Sequence, residues 1–188
     1  MQRLKGIVGT LAGCLARLAA GHGGIVGLLG EAGLGKSRLM TEVSRTATGG
    51  ILLWLEGRSL SFSRTLSYSP FLQILRGWAG ITEEDGEAES ARKLERGVCA
   101  LFPDEVADVL PYLATLLALP VPPELEHRVR YLDGQAMGRQ VFRSMRRLFE
   151  RLARERPVVL VFEDLHWADR SSTELIEHLL PLVETSPL

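Results

Sequence analysis

Short runs of consecutive apolar residues alternate along the chain with segments whose apolar positions recur at helical spacing. Three of these runs are continuous and are bounded by glycine, proline or acidic residues: 25–29, 51–55 and 158–162. A continuous apolar run of this length is typical of a strand that is buried on both faces of a parallel sheet. Because the runs alternate with helical segments, the pattern predicts an α/β fold with a mainly parallel sheet.

Helices are predicted where apolar residues repeat every three or four positions. The first is an amphipathic helix at the amino terminus, with one apolar face made of Val8, Leu11, Leu15 and Leu18. Later segments with this pattern begin near residue 37 and continue at 70–78, 91–119, 134–154 and 171–184. We expect 91–119 to be two helices with Asp104 as the N-cap of the second, and Ser171 to open the last helix. The acidic stretch 82–89 is predicted to be a surface loop.

Two features bear on membrane association. Leu11–Cys14 spells the cleavage box of bacterial lipoproteins, but the apolar stretch before it has only about five residues, fewer than the roughly 7 to 15 of a signal peptide core. We therefore favour the amphipathic helix. The longest apolar stretch, 109–121, is interrupted by two prolines and is shorter than the roughly 20 residues of a spanning helix. The sequence thus predicts no membrane segment and a cytoplasmic location.

Length, charge and cysteine content limit the number of domains and the kinds of partner and site. The 188 residues correspond to one domain, residues 1–188, at roughly 100 to 200 residues per domain. Lys and Arg total 22 against 23 Asp and Glu, so no global basic field attracts nucleic acid or anionic lipid. Cys14 and Cys99 are far apart and form no CxxC pattern, which argues against a disulfide framework and a structural zinc site.

The strongest chemical motif follows the first predicted strand. Gly30–Ser37 has the spacing Gly-x-x-x-x-Gly-Lys-Ser of a phosphate-binding P-loop. Glycines let the backbone curl around an anion, so that successive N–H groups point at phosphate oxygens at the positive end of the next helix. In such a loop Lys36 reaches the β- and γ-phosphates, and the hydroxyl of Ser37 ligates Mg2+.

An acidic pair, Glu163 and Asp164, follows the third predicted strand. Ligands of open α/β sheets bind at the carboxyl ends of the strands. One carboxylate can hold Mg2+ through water while its neighbour orients or deprotonates the attacking water. Which residue takes which role stays open. Together with the P-loop, the pair predicts a nucleotide-hydrolysing site.

These two motifs carry a family resemblance. The segment Gly30–Leu39 and the run Glu-Asp-Leu-His-Trp-Ala-Asp at Glu163–Asp169 resemble the signal-transduction ATPases with numerous domains, the STAND class. More narrowly, the chain is similar to the AAA-type ATPase modules of bacterial adenylate or guanylate cyclases and of LuxR-type transcriptional regulators. The family's amino-terminal Val-Gly-Arg-Glu segment, which touches adenine, is replaced here by Ile7–Leu11, which lacks the Arg and the acid.

The resemblance implies specific site residues. ATP or ADP would be bound by the loop residues Gly30, Glu31, Ala32, Gly33, Leu34, Gly35, Lys36, Ser37 and Arg38. Mg2+ would be held by Ser37, Glu163 and Asp164, and catalysis would use Lys36, Glu163 and Asp164.

The resemblance also implies the fold of the P-loop NTPases, a three-layer sandwich. In its strand order 5-1-4-3-2, a fourth strand lies between the P-loop strand and the strand that precedes Glu163. We expect this strand to begin at 186–188, so that the chain is the amino-terminal part of a larger ATPase module, truncated before the fourth core strand. The P-loop strand and the third strand would then either pair directly, or the fragment would be poorly folded alone.

The function predicted from the resemblance is an ATP-binding domain that hydrolyses ATP slowly, with Mg2+, and acts as a switch in a bacterial signalling or transcriptional regulator. One alternative is a DNA-associated AAA+ ATPase that resembles origin-recognition proteins. Another is a non-catalytic nucleotide-binding fragment. The implied partners are nucleotide, effector or sensor domains in the same full-length chain, and further copies that associate in a nucleotide-dependent way. We expect no membrane contact and no direct contact with nucleic acid.

Several single residues have two interpretations. Asp169 is either a further acid of the site or the N-cap of the last helix, and His166 and Trp167 are expected to be packing residues. Arg58 follows the second predicted strand and could reach the nucleotide. The arginines of 139–156 are interleaved with glutamates, which favours a solvated helix face over a nucleic-acid patch.

Overall fold

The computed structural model of the protein describes residues 2–31, 33–47, 51–59 and 67–188. The α-helices are α1 (Gln2–Ala19), α2 (Lys36–Ala47), α3 (Ser69–Ala79), α4 (Glu87–Leu101), α5 (Leu110–Leu116), α6 (Gly134–Glu155) and α7 (Arg170–Leu179). The strands are β1 (Leu53–Arg58) and β2 (Val158–Glu163). Short 3-10 helices cover Val106–Asp108, Pro123–Arg128, Leu165–Trp167 and Leu180–Glu184.

The two strands form a parallel sheet. Leu53 pairs with Val158 at one end of the ladder, and Arg58 pairs with Glu163 at the other. Alternate side chains point to opposite faces of a strand, and paired residues share a face. Leu55 of β1 and its partner Leu160 therefore lie on one face, the face that packs on the larger hydrophobic cluster. The helices from α3 through α7 supply most of the rest of this cluster, including Phe71, Leu94, Leu113, Leu148 and Leu175.

The opposite face of the sheet packs on the two amino-terminal helices. Trp54 of β1 lies against a smaller cluster made by Leu11 of α1 with Leu39 and Val43 of α2. The apolar stripe predicted for α1 is thus confirmed as the buried stripe of that helix. Helices cover both faces of the sheet, which is the layered α/β arrangement expected from the sequence.

The strand predicted at 25–29 is not formed. Residues 22–31 have no regular secondary structure, and Ile25 and Leu29 are 65% and 96% exposed. A strand requires a neighbouring strand to accept and donate its backbone hydrogen bonds. Within the described residues the sheet consists of β1 and β2 alone, and neither of them pairs with 25–29. The prediction of a strand at 25–29 was therefore wrong: the segment is apolar, but it does not pair with the sheet.

The carboxyl-terminal residues lie between this segment and β2. The amide of Val158, at the start of β2, donates a hydrogen bond to the carbonyl of Pro187 at 2.9 Å, and the amide of Gly24 donates to the carbonyl of Leu188 at 3.0 Å. The P-loop segment and β2 therefore do not pair directly, contrary to one of the two expected outcomes. Residues 187–188 occupy the place where the fourth strand was expected to begin.

Other predicted boundaries need smaller corrections. Strand β1 begins two residues later than predicted, and α4 begins at Glu87, inside the predicted loop. Asp104 caps no helix, because the chain makes a 3-10 turn at 106–108 before α5 begins at Leu110. The last helix begins at Arg170, and its N-cap is Asp169 rather than Ser171. Helix boundaries depend on local hydrogen bonds that several polar residues can supply, so neighbouring candidates are hard to separate by sequence.

None of the helices in the described ranges is long and apolar enough to cross a membrane.

Candidate nucleotide-binding site

The P-loop bends through two glycines with positive φ angles. The angles are 82° at Gly33 and 81° at Gly35, in the left-handed region that side chains with a Cβ rarely adopt. Helix α2 begins directly afterwards at Lys36, and the amide of Leu39 donates to the carbonyl of Gly35 at 2.9 Å. The loop therefore leads into a helix amino terminus, whose free N–H groups and positive dipole end favour an anion.

Lys36 is folded over its own loop. Its ammonium donates hydrogen bonds to the carbonyl oxygens of Gly30 at 2.8 Å and Glu31 at 2.9 Å. Both acceptors are uncharged carbonyls, so a phosphate oxygen offers a stronger, charge-assisted partner in the same region. Leu34 is 64% exposed and Arg38 is also exposed, whereas Ala32 lies outside the described residues.

The two acids stand at the carboxyl end of β2. Glu163 is the last residue of the strand, paired in register with Arg58 of β1. Asp164 has a φ of 54°, and this left-handed residue turns the chain into the 3-10 helix Leu165–Trp167. The side chains are 22% and 38% exposed. Both carboxylates therefore remain reachable from solvent at the end of the sheet.

Arg58 joins the acids to the P-loop. Its Nη2 lies 2.8 Å from Oε2 of Glu163, and its Nε lies 3.3 Å from Oδ2 of Asp164. The same Nη2 donates a hydrogen bond to the hydroxyl of Ser37 at 3.2 Å. All three residues that the sequence predicted as Mg2+ ligands thus contact one positively charged group.

This donor set fits Mg2+. Carboxylate and hydroxyl oxygens are hard ligands of the kind that Mg2+ takes in nucleotide sites, where it keeps several waters. Ser37, Glu163 and Asp164 all contact the guanidinium of Arg58, so their oxygens lie around one shared position. No group of three or more His, Cys, Asp or Glu residues that could hold a metal occurs in the described part of the chain. A Mg2+ ion here would therefore share its coordination with water and phosphate.

Nearly the whole chain matches a known protein family. Residues 6–188 match the family of AAA ATPase domains. The chain belongs to this family. Membership implies the P-loop NTPase α/β fold and nucleotide binding, and the family generally uses ATP with Mg2+.

The AAA domain is also 29% identical over 178 residues to an uncharacterized protein of Rhizobium meliloti (strain 1021). The alignment covers 90% of this chain but 16% of that protein, so the chain spans a small part of the relative's length. No solved structure matches the chain.

The backbone of Arg58 in this AAA domain is fixed from α3. The amide of Arg58 donates to Oε1 of Gln73 at 3.0 Å, and Nε2 of Gln73 donates back to the carbonyl of Arg58 at 3.0 Å. The amide of the next residue, Ser59, donates to the carbonyl of Glu163 at 3.0 Å. The sequence analysis missed Gln73, because a single glutamine within a helix carries no signal of the backbone that it will contact.

Asp169 acts as the N-cap of α7. Its Oδ1 accepts hydrogen bonds from the amides of Ser172 at 3.0 Å and Tyr68 at 3.3 Å. Tyr68 has a left-handed φ of 64°, which is strained for an aromatic residue. Burial raises the pKa of its phenol, and the charge of Asp169 adds to this rise while a hydrogen bond with Ser171 opposes it. Asp169 therefore ties α7 to the start of α3.

The rings of His166 and Trp167 contact each other at an angle, with centroids 5.0 Å apart and planes tilted by 46°. His166 is exposed and Trp167 is half-buried. This placement agrees with packing for Trp167 but leaves His166 largely in solvent.

Three arginines of α6 contact acids or a backbone carbonyl. Arg146 pairs with Glu150 at 2.9 Å, Arg147 pairs with Glu105 and contacts Asp108, and Arg151 donates to the carbonyl of Leu101 at 3.1 Å. Arginines that already have partners have less charge to offer a phosphate backbone. For these three arginines the contacts support a structural role, and the absence of nucleic-acid contact stays a prediction.

Proposed function

We propose that this AAA domain binds ATP together with Mg2+ and hydrolyses it slowly, so that the bound nucleotide sets the state of a switch. The observation that carries the proposal is the convergence of Ser37, Glu163 and Asp164 on one cationic group at the mouth of the P-loop. A site for a nucleotide–magnesium complex needs an anion-binding loop and a cation-binding set of oxygens side by side.

Each residue has a proposed role. The backbone amides from Gly30 to Ser37 bind the phosphates, and Lys36 exchanges its carbonyl partners for phosphate oxygens. Ser37 and one of the two acids hold Mg2+, and the other acid orients the attacking water and accepts its proton. The ion would neutralise charge that develops on the transferred phosphoryl group. Which acid holds the metal and which acts on the water stays open in this proposal.

The proposal also includes a regulatory role. We propose that the domain belongs to a STAND-class regulator of bacterial signalling or transcription, with effector or sensor domains elsewhere in the full-length chain. Two observations support this: the run Glu163–Asp169 resembles that class, and the matched relative is far longer than the aligned region. In such a protein the output is the bound state of the nucleotide rather than the rate of turnover.

The test is calorimetric titration of the 188-residue chain with Mg2+-ATP and Mg2+-ADP. We expect saturable binding that weakens about 10- to 150-fold in Lys36→Ala, because the variant loses a charge-assisted phosphate contact. Lys93→Ala is the matched control. The ammonium of Lys93 also donates to a backbone carbonyl, that of Gly80 at 2.9 Å, but it lies on α4, away from the P-loop. We expect the control to bind like the parent.

Two results would contradict the proposal. If neither the parent nor Lys93→Ala bound Mg2+-ATP, the chain would not be a nucleotide site. If the parent bound ATP but hydrolysed it rapidly over many turnovers without any effector, the switch role would be wrong and the domain would be a constitutive ATPase.

A further inference from the structure

The guanidinium of Arg58 lies where a Mg2+ ion bound to the proposed ligands would lie. The guanidinium contacts Ser37, Glu163 and Asp164 within 3.3 Å, and these are the residues proposed as Mg2+ ligands. Arg58 contacts one oxygen of each carboxylate. A Mg2+ ion beside these three side chains would repel the guanidinium and would compete with it for their lone pairs. Arg58 and Mg2+ are therefore competitors for the same side chains.

We propose that Arg58 is a positioning residue that competes with Mg2+ for these oxygens and thereby sets how strongly ATP binding depends on Mg2+. The inference rests on the proposed function, since it concerns the same site. Without Mg2+, Arg58 neutralises the two acids and keeps them from repelling the phosphates. With Mg2+, the ion must first displace the guanidinium from its partners.

The side chain can leave without disturbing the fold. Gln73 holds the amide and the carbonyl of Arg58, and the β1–β2 ladder pairs its backbone with Glu163. The side chain itself is 45% exposed, so a change of rotamer brings the guanidinium into water. A fixed backbone with a releasable side chain is what a competitor for a metal position requires.

The two acids determine how removal of the Arg58 guanidinium should change the affinity for ATP. Glu163 and Asp164 are adjacent in the chain and both face the P-loop through Arg58. If the guanidinium is removed, two carboxylates are left near the phosphate position with no positive partner from β1. ATP without Mg2+ should then bind more weakly, whereas Mg2+-ATP should bind as well as before or better. The ratio of the two dissociation constants should rise.

The experiment measures this ratio directly. The dissociation constant of ATP is determined by calorimetry in excess EDTA and in excess MgCl2, for the parent chain, Arg58→Gln and Arg128→Gln. We expect the ratio, EDTA over MgCl2, to be about tenfold higher in Arg58→Gln than in the parent, as for the loss of one partly exposed charge-assisted contact. Arg128 is a matched control: its side chain is 41% exposed and its Nη1 lies 3.3 Å from Oδ1 of Asp108. The ratio should not change in Arg128→Gln.

A second variant distinguishes the loss of the Arg58 contacts from a loss of folding. Arg58→Lys keeps the charge but cannot contact three groups at once, so we expect its ratio to lie between those of the parent and Arg58→Gln. Thermal unfolding of each variant shows that it is folded.

Two outcomes would overturn the inference. If Arg58→Gln weakened ATP equally in both conditions, Arg58 would be an ordinary phosphate contact. If the ratio were unchanged and only the melting temperature fell, its role would be structural. Failure of the parent to bind Mg2+-ATP would instead contradict the proposed function, so the two failures are distinguishable.

Discussion

Asp169 links the start of α7 to the residue before α3 through one carboxylate. It caps α7 by accepting from the amide of Ser172, its second oxygen accepts from the hydroxyl of the same serine, and it also holds the amide of Tyr68. Tyr68 is 101 positions away in the sequence. The carboxylate thus compensates for the left-handed backbone of Tyr68 while it stabilises a helix amino terminus.

Replacing this carboxylate tests its structural role. We expect Asp169→Ala to lower the free energy of unfolding by about 1 to 3 kcal/mol, since it removes a helix cap and a second hydrogen bond to a backbone amide. The measurement is urea unfolding at neutral pH. Asp104→Ala is the control, because Asp104 was predicted as a cap but caps no helix, and its replacement should change stability by less than about 0.5 kcal/mol. Equal losses in both variants would refute a specific role for Asp169.

At the scale of elements, β1 and α3 approach each other at Gly57. A Cβ atom added to Gly57 would lie 2.2 Å from the carbonyl oxygen of Pro70, in the first turn of α3. The obstructing atom is backbone, which cannot rotate away as a side chain can. This close approach sets the position of α3, and with it Gln73, beside the end of β1.

A single added methyl group should therefore separate the two elements. We expect Gly57→Ala to destabilise the protein by about 1 to 3 kcal/mol through overpacking. Gly77→Ala, in α3, is the control, because a Cβ there meets no atom within 4 Å and the alanine should stabilise α3 by up to about 1 kcal/mol. Both values come from urea unfolding. A neutral Gly57→Ala would show that β1 and α3 are not held at this spacing.

For the whole molecule, the two hydrophobic clusters lie on opposite faces of a two-stranded sheet. The larger cluster contains residues of all the helices from α3 through α7, and the smaller cluster contains residues of α1 and α2. Regions with less buried apolar surface open at lower free energy than the main core. We therefore expect α1 and α2 to open without the rest of the molecule.

Hydrogen exchange at single amides can separate these two layers. Leu39 of α2 is 7% exposed and Leu148 of α6 is fully buried. We expect Leu148→Ala to lower the opening free energy of amides in α6 by about 2 to 5 kcal/mol and to leave that of α1 and α2 nearly unchanged, because Leu148 stays packed when these two helices open alone. Leu39→Ala should lower it by about 2 kcal/mol in α1 and α2, and also for amides that exchange only by global unfolding. If Leu148→Ala lowered it in α1 and α2 as much as in α6, the two layers would unfold as one unit.

The sequence by itself determined the chemical groups and most of the elements. The P-loop, the acid pair and the positions of α1, α2, α3 and α6 follow from local spacing and periodicity, which neighbouring residues fix without help from the rest of the chain. The class of fold follows from the alternation of these segments.

Only the tertiary structure decided which groups meet. The apolar run at 25–29 has the composition of a strand, but pairing depends on a partner strand elsewhere, and no periodicity within the run reports whether that partner is beside it. Likewise, Arg58 contacts Glu163 because the register of β1 and β2 places the two residues side by side. It contacts Ser37 because α2 packs on the face of the sheet to which Arg58 belongs. Hydrogen bonds and ion pairs need atoms within a few ångströms, and such distances between remote residues arise only after the chain has folded.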